Sequence, residues 1–106
     1  MLALDTTVPA GQTATSSVIP VGPSIGAVTI YTGVSAGPCI IRIERQNAAG
    51  DWVLTRPAVA VPNPPPEDEY VDLLERAHSG PYRVVVFNGS DDPVLATVEV
   101  GERRER

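Results

Sequence analysis

Apolar and polar residues alternate with a period of two in several short stretches of the chain, which is typical of half-buried β-strands. From Cys39 to Glu44 the odd-numbered residues are apolar, while Arg42 and Glu44 occupy the opposite face. The same alternation occurs at 27–32 and 94–100, and a further, mostly apolar stretch lies at 82–87. The pattern predicts a strand at each of these places, with one face against an apolar core.

Turn-forming residues separate these stretches, since the chain has 11 prolines and nine glycines among its 106 residues. Because glycine and proline favour turns, we predict hairpin connections between neighbouring strands at three places, 33–38, 47–50 and 88–93. The last of these would join strands 82–87 and 94–100 into the clearest hairpin in the chain. Repeated turns at short intervals favour many short strands rather than disorder.

One segment is ambiguous. Residues 67–77 could form a short acidic helix, but Val71 and Leu73 alternate with Asp72, and we favour a strand. The four prolines between Pro62 and Pro66 favour extended geometry, so this segment predicts a stiff connector before the strand.

These elements predict an all-β fold, an antiparallel β-sandwich of about six to eight short strands, either immunoglobulin-like or jelly-roll-like. The sandwich would cover residues 26–101. Residues 1–25, which are rich in Thr, Ser and Ala, would form an extended arm or an edge strand. Residues 102–106 would form a charged, solvated tail.

The net charge is −5, and the eight basic residues are all arginine. Nucleic-acid binding requires a basic face, and the only basic concentration here is the tail, where carboxylates interrupt the arginines. No stretch approaches the roughly 20 apolar residues of a membrane span, and the amino terminus does not resemble a secretory signal. We therefore expect neither nucleic-acid nor membrane partners.

Residues suited to catalysis are few. His78 is the only histidine and lies in a predicted turn, while Cys39 is the only cysteine and lies in an apolar run. A zinc ligand set cannot be assembled from them. The composition leaves a Ser-His-Asp or Cys-His arrangement open, since Ser79 and Asp72 are present, but the chain has neither a nucleophile elbow nor a glycine-rich phosphate loop. The pair Asp91 and Asp92 is more typical of turn chemistry than of calcium binding. We predict a protein without enzymatic activity, cofactor or metal.

We expect a protein without catalytic groups to function through contact with partner molecules. The arm offers a few large apolar side chains, and Trp52 and Tyr70 are aromatic residues near predicted loops. The candidate partner contacts are Leu2, Leu4, Val8, Val18, Ile19, Trp52 and Tyr70. Many sugar-binding modules are also β-sandwiches with an aromatic platform, so a glycan-binding module is an alternative.

The order of features from Gly26 onward resembles a group of small virion proteins of tailed bacteriophages. Two segments carry the resemblance, a turn and tryptophan strand at 47–53 and a Gly-Pro-Tyr-Arg-Val strand that begins at Gly80. The resemblance covers about 75 residues in pattern only and rests on no invariant motif.

The resemblance implies a decoration or cement protein on the outer surface of a phage capsid. The implied location is the virion, after synthesis in the host bacterial cytoplasm. The implied partners are the major capsid protein or other virion proteins, and the implied state is a homo-oligomer, such as a trimer near three-fold positions. A component of the tail, the neck or a head fibre is the alternative within the same group.

Overall fold

The computed structural model describes residues 1–21, 25–55, 57–66, 69–75 and 80–104. These residues form ten strands in two antiparallel sheets and no helix. Sheet A consists, in spatial order, of β1 (Leu2–Val8), β10 (Val94–Arg104), β4 (Ile25–Val34) and β8 (Tyr70–Glu75). In sheet B, β9 (Gly80–Asn88) and β5 (Cys39–Gln46) are central. Short strands flank this pair, with β2 (Thr13–Thr15) and β3 (Ile19–Val21) on β9, and β6 (Trp52–Leu54) and β7 (Val59–Val61) on β5.

The two short pairs, β2 with β3 and β6 with β7, each act as one interrupted strand, because both members of a pair bind the same neighbour. Counted this way, each sheet has four strand positions, and consecutive strands change sheet at every connection except that between β5 and β6. Eight strands in two sheets with this alternation form a jelly roll. The predicted antiparallel sandwich is confirmed, and of its two forms the topology is the jelly roll.

The core lies between the sheets and consists mainly of valine and isoleucine. From β10, Val94, Ala96, Val98 and Val100 point inward and are at most 5% exposed, as their alternation predicts. From β5, the odd-numbered apolar side chains are likewise buried. Burial of one such side chain stabilises the fold by about 1.5–3 kcal/mol, so this layer supplies much of the driving force for folding.

The predicted hairpin between strands 82–87 and 94–100 is wrong, because β9 belongs to sheet B and β10 to sheet A. The loop between them turns a corner from one sheet to the other. The prediction for segment 33–38 fails in the same way, since β4 and β5 also lie in different sheets. Turn residues and alternating strands look alike in a hairpin and at such a corner, so the sequence pattern does not separate the two.

The hairpin between β5 and β6 is confirmed, with Gln46 opposite Trp52. The side-chain oxygen of Asn47 accepts hydrogen bonds from the backbone N–H groups of Ala49 at 3.0 Å and Asp51 at 2.9 Å. Gly50 has a φ of 90°, a left-handed backbone conformation that favours glycine. These local interactions fix the register that places Trp52 beside β5.

The amino-terminal segment lies against both sheets. β1 pairs with β10 at the edge of sheet A, and β2 and β3 pair with β9 at the edge of sheet B. At the other end of the chain, β10 continues to Arg104 and pairs there with β4, so the strand passes the boundary predicted at residue 101. Backbone pairing does not require apolar side chains, which is why the charged sequence did not predict this extension.

The ambiguous segment forms a strand where the structure describes it, because β8 runs from Tyr70 to Glu75 and pairs with β4. The favoured alternative of the prediction is therefore confirmed for these residues. Residues 67–68 and 76–77 of that segment lie outside the described part of the chain.

Candidate functional site

A cluster of charged side chains lies on the outer face of sheet B, the face that points away from the core. Glu44 on β5 stands opposite Arg83 on β9, and Arg42 lies two residues before Glu44 on the same face. Arg83 Nε donates a hydrogen bond of 2.7 Å to Glu44 Oε1, and Arg42 Nη2 lies 3.1 Å from Glu44 Oε2. We call Arg42, Glu44 and Arg83 the Arg-Glu-Arg cluster.

The burial of this cluster is uneven. The side chain of Glu44 is 6% exposed, whereas those of Arg83 and Arg42 are 29% and 47% exposed. A buried carboxylate requires close cationic partners, because charge burial is costly without them. Two guanidinium groups and one carboxylate give the Arg-Glu-Arg cluster one net positive charge, in a chain whose net charge is −5. The remaining guanidinium donors are available mainly on the more exposed Arg42.

Trp52 borders the cluster from the edge strand β6. The guanidinium carbon of Arg83 lies 4.3 Å from the centroid of the indole ring, which is cation–π geometry. Trp52 is half-buried rather than part of the core. Arg83 therefore binds both the Glu44 carboxylate and one face of the indole, and it holds Trp52 in place on the surface of the sheet.

The other end of the same face is apolar. Ile40 on β5 stands between Ala60 on β7 and Phe87 on β9, and Ile40 and Phe87 are 40% and 37% exposed. An open groove of about 480 Å³ runs here, and Pro38 and Pro62 contribute to its walls. At roughly 3.3 Å per residue, Ile40 lies about 13 Å along β5 from Glu44. Exposed Leu54, opposite Glu44 on β6, adds apolar surface near the cluster.

The predicted partner contacts do not form one surface. Leu2 and Val18 are exposed near the edges formed by the amino-terminal segment, and Leu4 packs partly against the core. Val8 and Ile19 are each 1% exposed, so their side chains contribute to the core of the folded domain and are not available to a partner.

The two predicted aromatic contacts lie on strands at the opposite side of the sandwich. Trp52 is on β6, and Tyr70 is on β8 with its ring packed partly against the core. The amino-terminal contacts and the aromatic contacts therefore occupy different regions of the molecule.

The alternation along β5 predicts Arg42 and Glu44 on its outward face, but it does not predict the cluster with Arg83. The missing information was the register of β5 against β9, which joins Glu44 to Arg83 across 39 positions of sequence. Ile40 and Phe87 were missed for the same reason. The only available signal was an outward-facing glutamate two residues after an arginine on the same strand.

Groups suited to catalysis or metal binding are sparse in the described part of the chain. No three His, Cys, Asp or Glu side chains converge there to hold a metal ion. His78 lies outside the described residues. Cys39 is buried, its thiol donates to the carbonyl of Ala36 at 3.3 Å, and burial raises the pKa of the thiol. Among these residues there is also no helix long and apolar enough to cross a membrane.

No protein-family model and no curated protein sequence matches the chain. Among solved structures, the crystal structure of PirA is similar, with a TM-score of 0.58, 20% sequence identity and 93% of each chain covered. A carbohydrate-binding module from Cellvibrio mixtus lichenase 5A, solved with cellotriose, has a TM-score of 0.48 and 11% identity over 98% of this chain and 91% of its own. A family 16 carbohydrate-binding module has a TM-score of 0.46 and 14% identity over 92% of this chain and 76% of its own. At these identities the similarity extends to the fold alone.

Proposed function

We propose that this chain is a non-enzymatic binding module of a larger protein assembly, and that the outer face of sheet B is its docking surface. The observation that carries the proposal is the composition of this face. Two arginines bind a nearly buried carboxylate, and Trp52 packs against one of these arginines. The same face also carries exposed Ile40, Leu54 and Phe87. Tryptophan and arginine are the residue types that most often dominate binding energy at protein interfaces, and aromatic residues in general are enriched there.

The charges on this face define the chemistry of the partner. Arg83 donates a hydrogen bond to Glu44 and packs against the ring of Trp52, so its side chain is held in one position. Arg42 retains exposed N–H donors. A partner surface that places an acidic group beside apolar side chains would complement this arrangement. Because Arg83 is fixed before binding, little side-chain entropy is lost when the partner docks.

The resemblance to small tailed-phage virion proteins supports a specific form of the proposal, a decoration protein on the outer surface of a capsid. The major capsid protein would then be the partner, and a homo-oligomer such as a trimer would be the bound form. Each contact could be weak, because many copies on a symmetric shell together stabilise the coat. A role in the tail, the neck or a head fibre would use the same surface on a different partner.

A reconstitution experiment tests this form. Purified protein is added to shells of the major capsid protein from the same genome, and bound copies are quantified after sedimentation. We expect saturable binding that falls by about tenfold or more in Trp52→Ala and Arg42→Ala, the loss typical of hot-spot residues. Leu95→Ala is the matched control, because Leu95 is 58% exposed on the outer face of sheet A.

The outcomes are distinct. No binding to the shell contradicts the capsid role, and equal loss of binding in Leu95→Ala contradicts the assignment of the outer face of sheet B. Truncation of residues 2–20 is unsuitable as a test, because that segment supplies β1 and β2 and part of β3. Its removal would damage the fold together with any binding function.

A glycan-binding module is the second candidate, and the half-exposed Trp52 on a sheet face favours it. Sugar rings stack on open aromatic faces, but Arg83 covers one face of this indole, so only the other face is a possible platform. The chain has a single tryptophan, and its fluorescence therefore reports directly on this position. Saturable fluorescence change on titration with an oligosaccharide such as cellotriose would favour the glycan role, whereas the docking proposal predicts none.

A further inference from the structure

A chemically labile pair of residues lies at the corner where the chain passes from sheet B to sheet A. Asn88 ends β9, and Gly89 begins the loop that leads to β10. Asparagine is a thermolabile residue, and glycine after it favours deamidation, because no side chain hinders attack of the glycine nitrogen on the asparagine amide. The pair is therefore a candidate modification site, and its reactivity depends on the contacts at the corner.

The corner uses both residues of this pair. The side-chain nitrogen of Asn88 donates to the carbonyls of Val8 at 2.9 Å and Asp92 at 2.8 Å. Gly89 passes close to a neighbouring loop, where an added Cβ atom would lie 3.3 Å from the carbonyl oxygen of Pro38. Glycine suits such a close backbone approach. A less labile pair would lose either the two hydrogen bonds or this close approach.

The native contacts engage both groups that would react. The N–H of Gly89 donates to the carbonyl of Pro38 at 2.9 Å. The side-chain oxygen of Asn88 accepts from the backbone N–H of Ser90 at 2.9 Å and from its hydroxyl at 2.6 Å. Asn88 is 0% exposed, so water does not reach its amide. The folded corner therefore keeps the nitrogen of Gly89 bound elsewhere and the amide of Asn88 fixed and dry.

We propose that Asn88 and Gly89 form a latent deamidation site, which is protected in the folded domain and reacts when the corner opens. In the open state the nitrogen of Gly89 bonds to the side-chain carbonyl carbon of Asn88, which closes a succinimide ring. The bond from that carbon to the amide nitrogen breaks, and this nitrogen leaves as ammonia with the proton from Gly89. Water then opens the ring and gives aspartate or isoaspartate. The inference does not depend on the proposed docking function.

The product does not fit the corner. Aspartate and isoaspartate carry a carboxylate in place of the amide, so neither offers a side-chain N–H to the carbonyls of Val8 and Asp92. The carboxylate also places a negative charge beside these oxygens at a buried position, which is unfavourable without a cationic partner. A corner that has opened and reacted therefore does not close again, and the opening becomes irreversible.

The first test measures the rate of deamidation in the full-length protein. Trypsin cuts after Arg83 and Arg103, and the fragment between them contains no asparagine or glutamine other than Asn88. Mass spectrometry of this fragment therefore reports on a single amide. We expect the rate in native buffer to be at least about hundredfold lower than in guanidinium chloride at the same pH, because few folded molecules have an open corner. Equal rates would overturn the proposal.

A variant that loosens the corner should lose this protection. Val8 is 1% exposed, and Val8→Ala should raise the rate at Asn88 in native buffer by about tenfold or more, since it removes buried methyl groups. Leu95→Ala is the matched control, because Leu95 is 58% exposed and should deamidate as the unchanged protein does. If Val8→Ala does not fold, Ser90→Ala takes its place, because it removes the hydroxyl that binds Asn88. Equal rates in variant and control would contradict protection by the corner.

Substitution by aspartate tests the irreversible step. Asn88→Asp should lower the urea midpoint of unfolding far more than Asn47→Asp. The side chain of Asn47 accepts hydrogen bonds from the N–H groups of Ala49 and Asp51 through its oxygen, and a carboxylate retains both. Equal urea midpoints for the two variants would show that the deamidated corner still closes, and would overturn this part of the proposal.

Discussion

The two flanks of the sandwich, where the edges of sheet A and sheet B meet, differ in how they are closed. On the amino-terminal flank, the backbone N–H and the hydroxyl of Ser17 donate to the carbonyl of Ala3 on β1, at 2.8 and 3.2 Å. Asn88 on β9 donates to the carbonyl of Val8 on β1 at 2.9 Å. On the opposite flank, β7 and β8 border a cavity, and the hydroxyl of Tyr70 has no partner.

This difference separates buried polar groups that have hydrogen-bond partners from one that has none. On the closed flank, polar side chains join one sheet to the other and satisfy buried carbonyl groups, so they stabilise the fold. On the open flank, the hydroxyl of Tyr70 is buried without a hydrogen-bond partner, which costs stability. A jelly roll with both flanks closed would be more stable, but it would lack an entrance between its sheets.

The largest expected effect is on the closed flank, at Asn88. Its side chain is fully buried, donates to the carbonyls of Val8 and Asp92, and accepts from Ser90. Asn88→Ala should lower the free energy of unfolding by roughly 2–4 kcal/mol, because it leaves buried groups unpaired. Urea denaturation measures the change. Asn47→Ala is the matched control, since Asn47 makes comparable bonds in an exposed turn and should cost about 1 kcal/mol or less.

A change of opposite sign is expected on the open flank. Tyr70→Phe removes the unsatisfied hydroxyl and should raise the free energy of unfolding by about 1 kcal/mol, seen as a higher urea midpoint. Tyr31→Phe, on the outer face of sheet A, should change it by about 0.5 kcal/mol or less. A destabilised Tyr70→Phe variant would show that the hydroxyl is satisfied in solution and that the flanks are more alike than the structure indicates.

The smallest effect is expected for Ser17→Ala on the closed flank. The variant loses the longer of the two bonds to Ala3 but keeps the backbone N–H bond. We expect a loss of about 0.5 kcal/mol or slightly more, together with faster hydrogen exchange of the Ser17 amide. A loss as large as that of Asn88→Ala would mean that the side chain, rather than the backbone, closes this edge.

The strands themselves were predictable, because alternation alone identified the inward faces of β5 and β10. The connections were not, since the 88–93 turn signal suits either a hairpin or a corner between sheets. In the structure this segment is a corner between the sheets. The side chain of Asn88 turns inward there and donates hydrogen bonds to the carbonyls of Val8 and Asp92. Nothing in an Asn-Gly pair specifies that inward orientation.

The candidate surfaces were less predictable than the fold. Val8 and Ile19 looked like contacts for a partner because they are large apolar residues in a polar segment, but they pack into the chain's own core. Hydrophobicity does not distinguish a partner's surface from the neighbouring sheet. The Arg-Glu-Arg cluster and the cavity beside Tyr70 both depend on long-range strand pairing, which local sequence patterns do not report.

The position of β10 between β1 and β4 has a consequence for biosynthesis. The last strand along the chain is also an interior strand of sheet A, so it leaves the ribosome after both of its neighbours, and β1 has no partner in the sheet until then. Until β10 is synthesised, β1 and β4 are not joined in one sheet, and the core-facing side of sheet A is incomplete. Acquisition of the native state should therefore await the synthesis of β10, and stalled nascent chains that lack β10 should be protease-sensitive and prone to association.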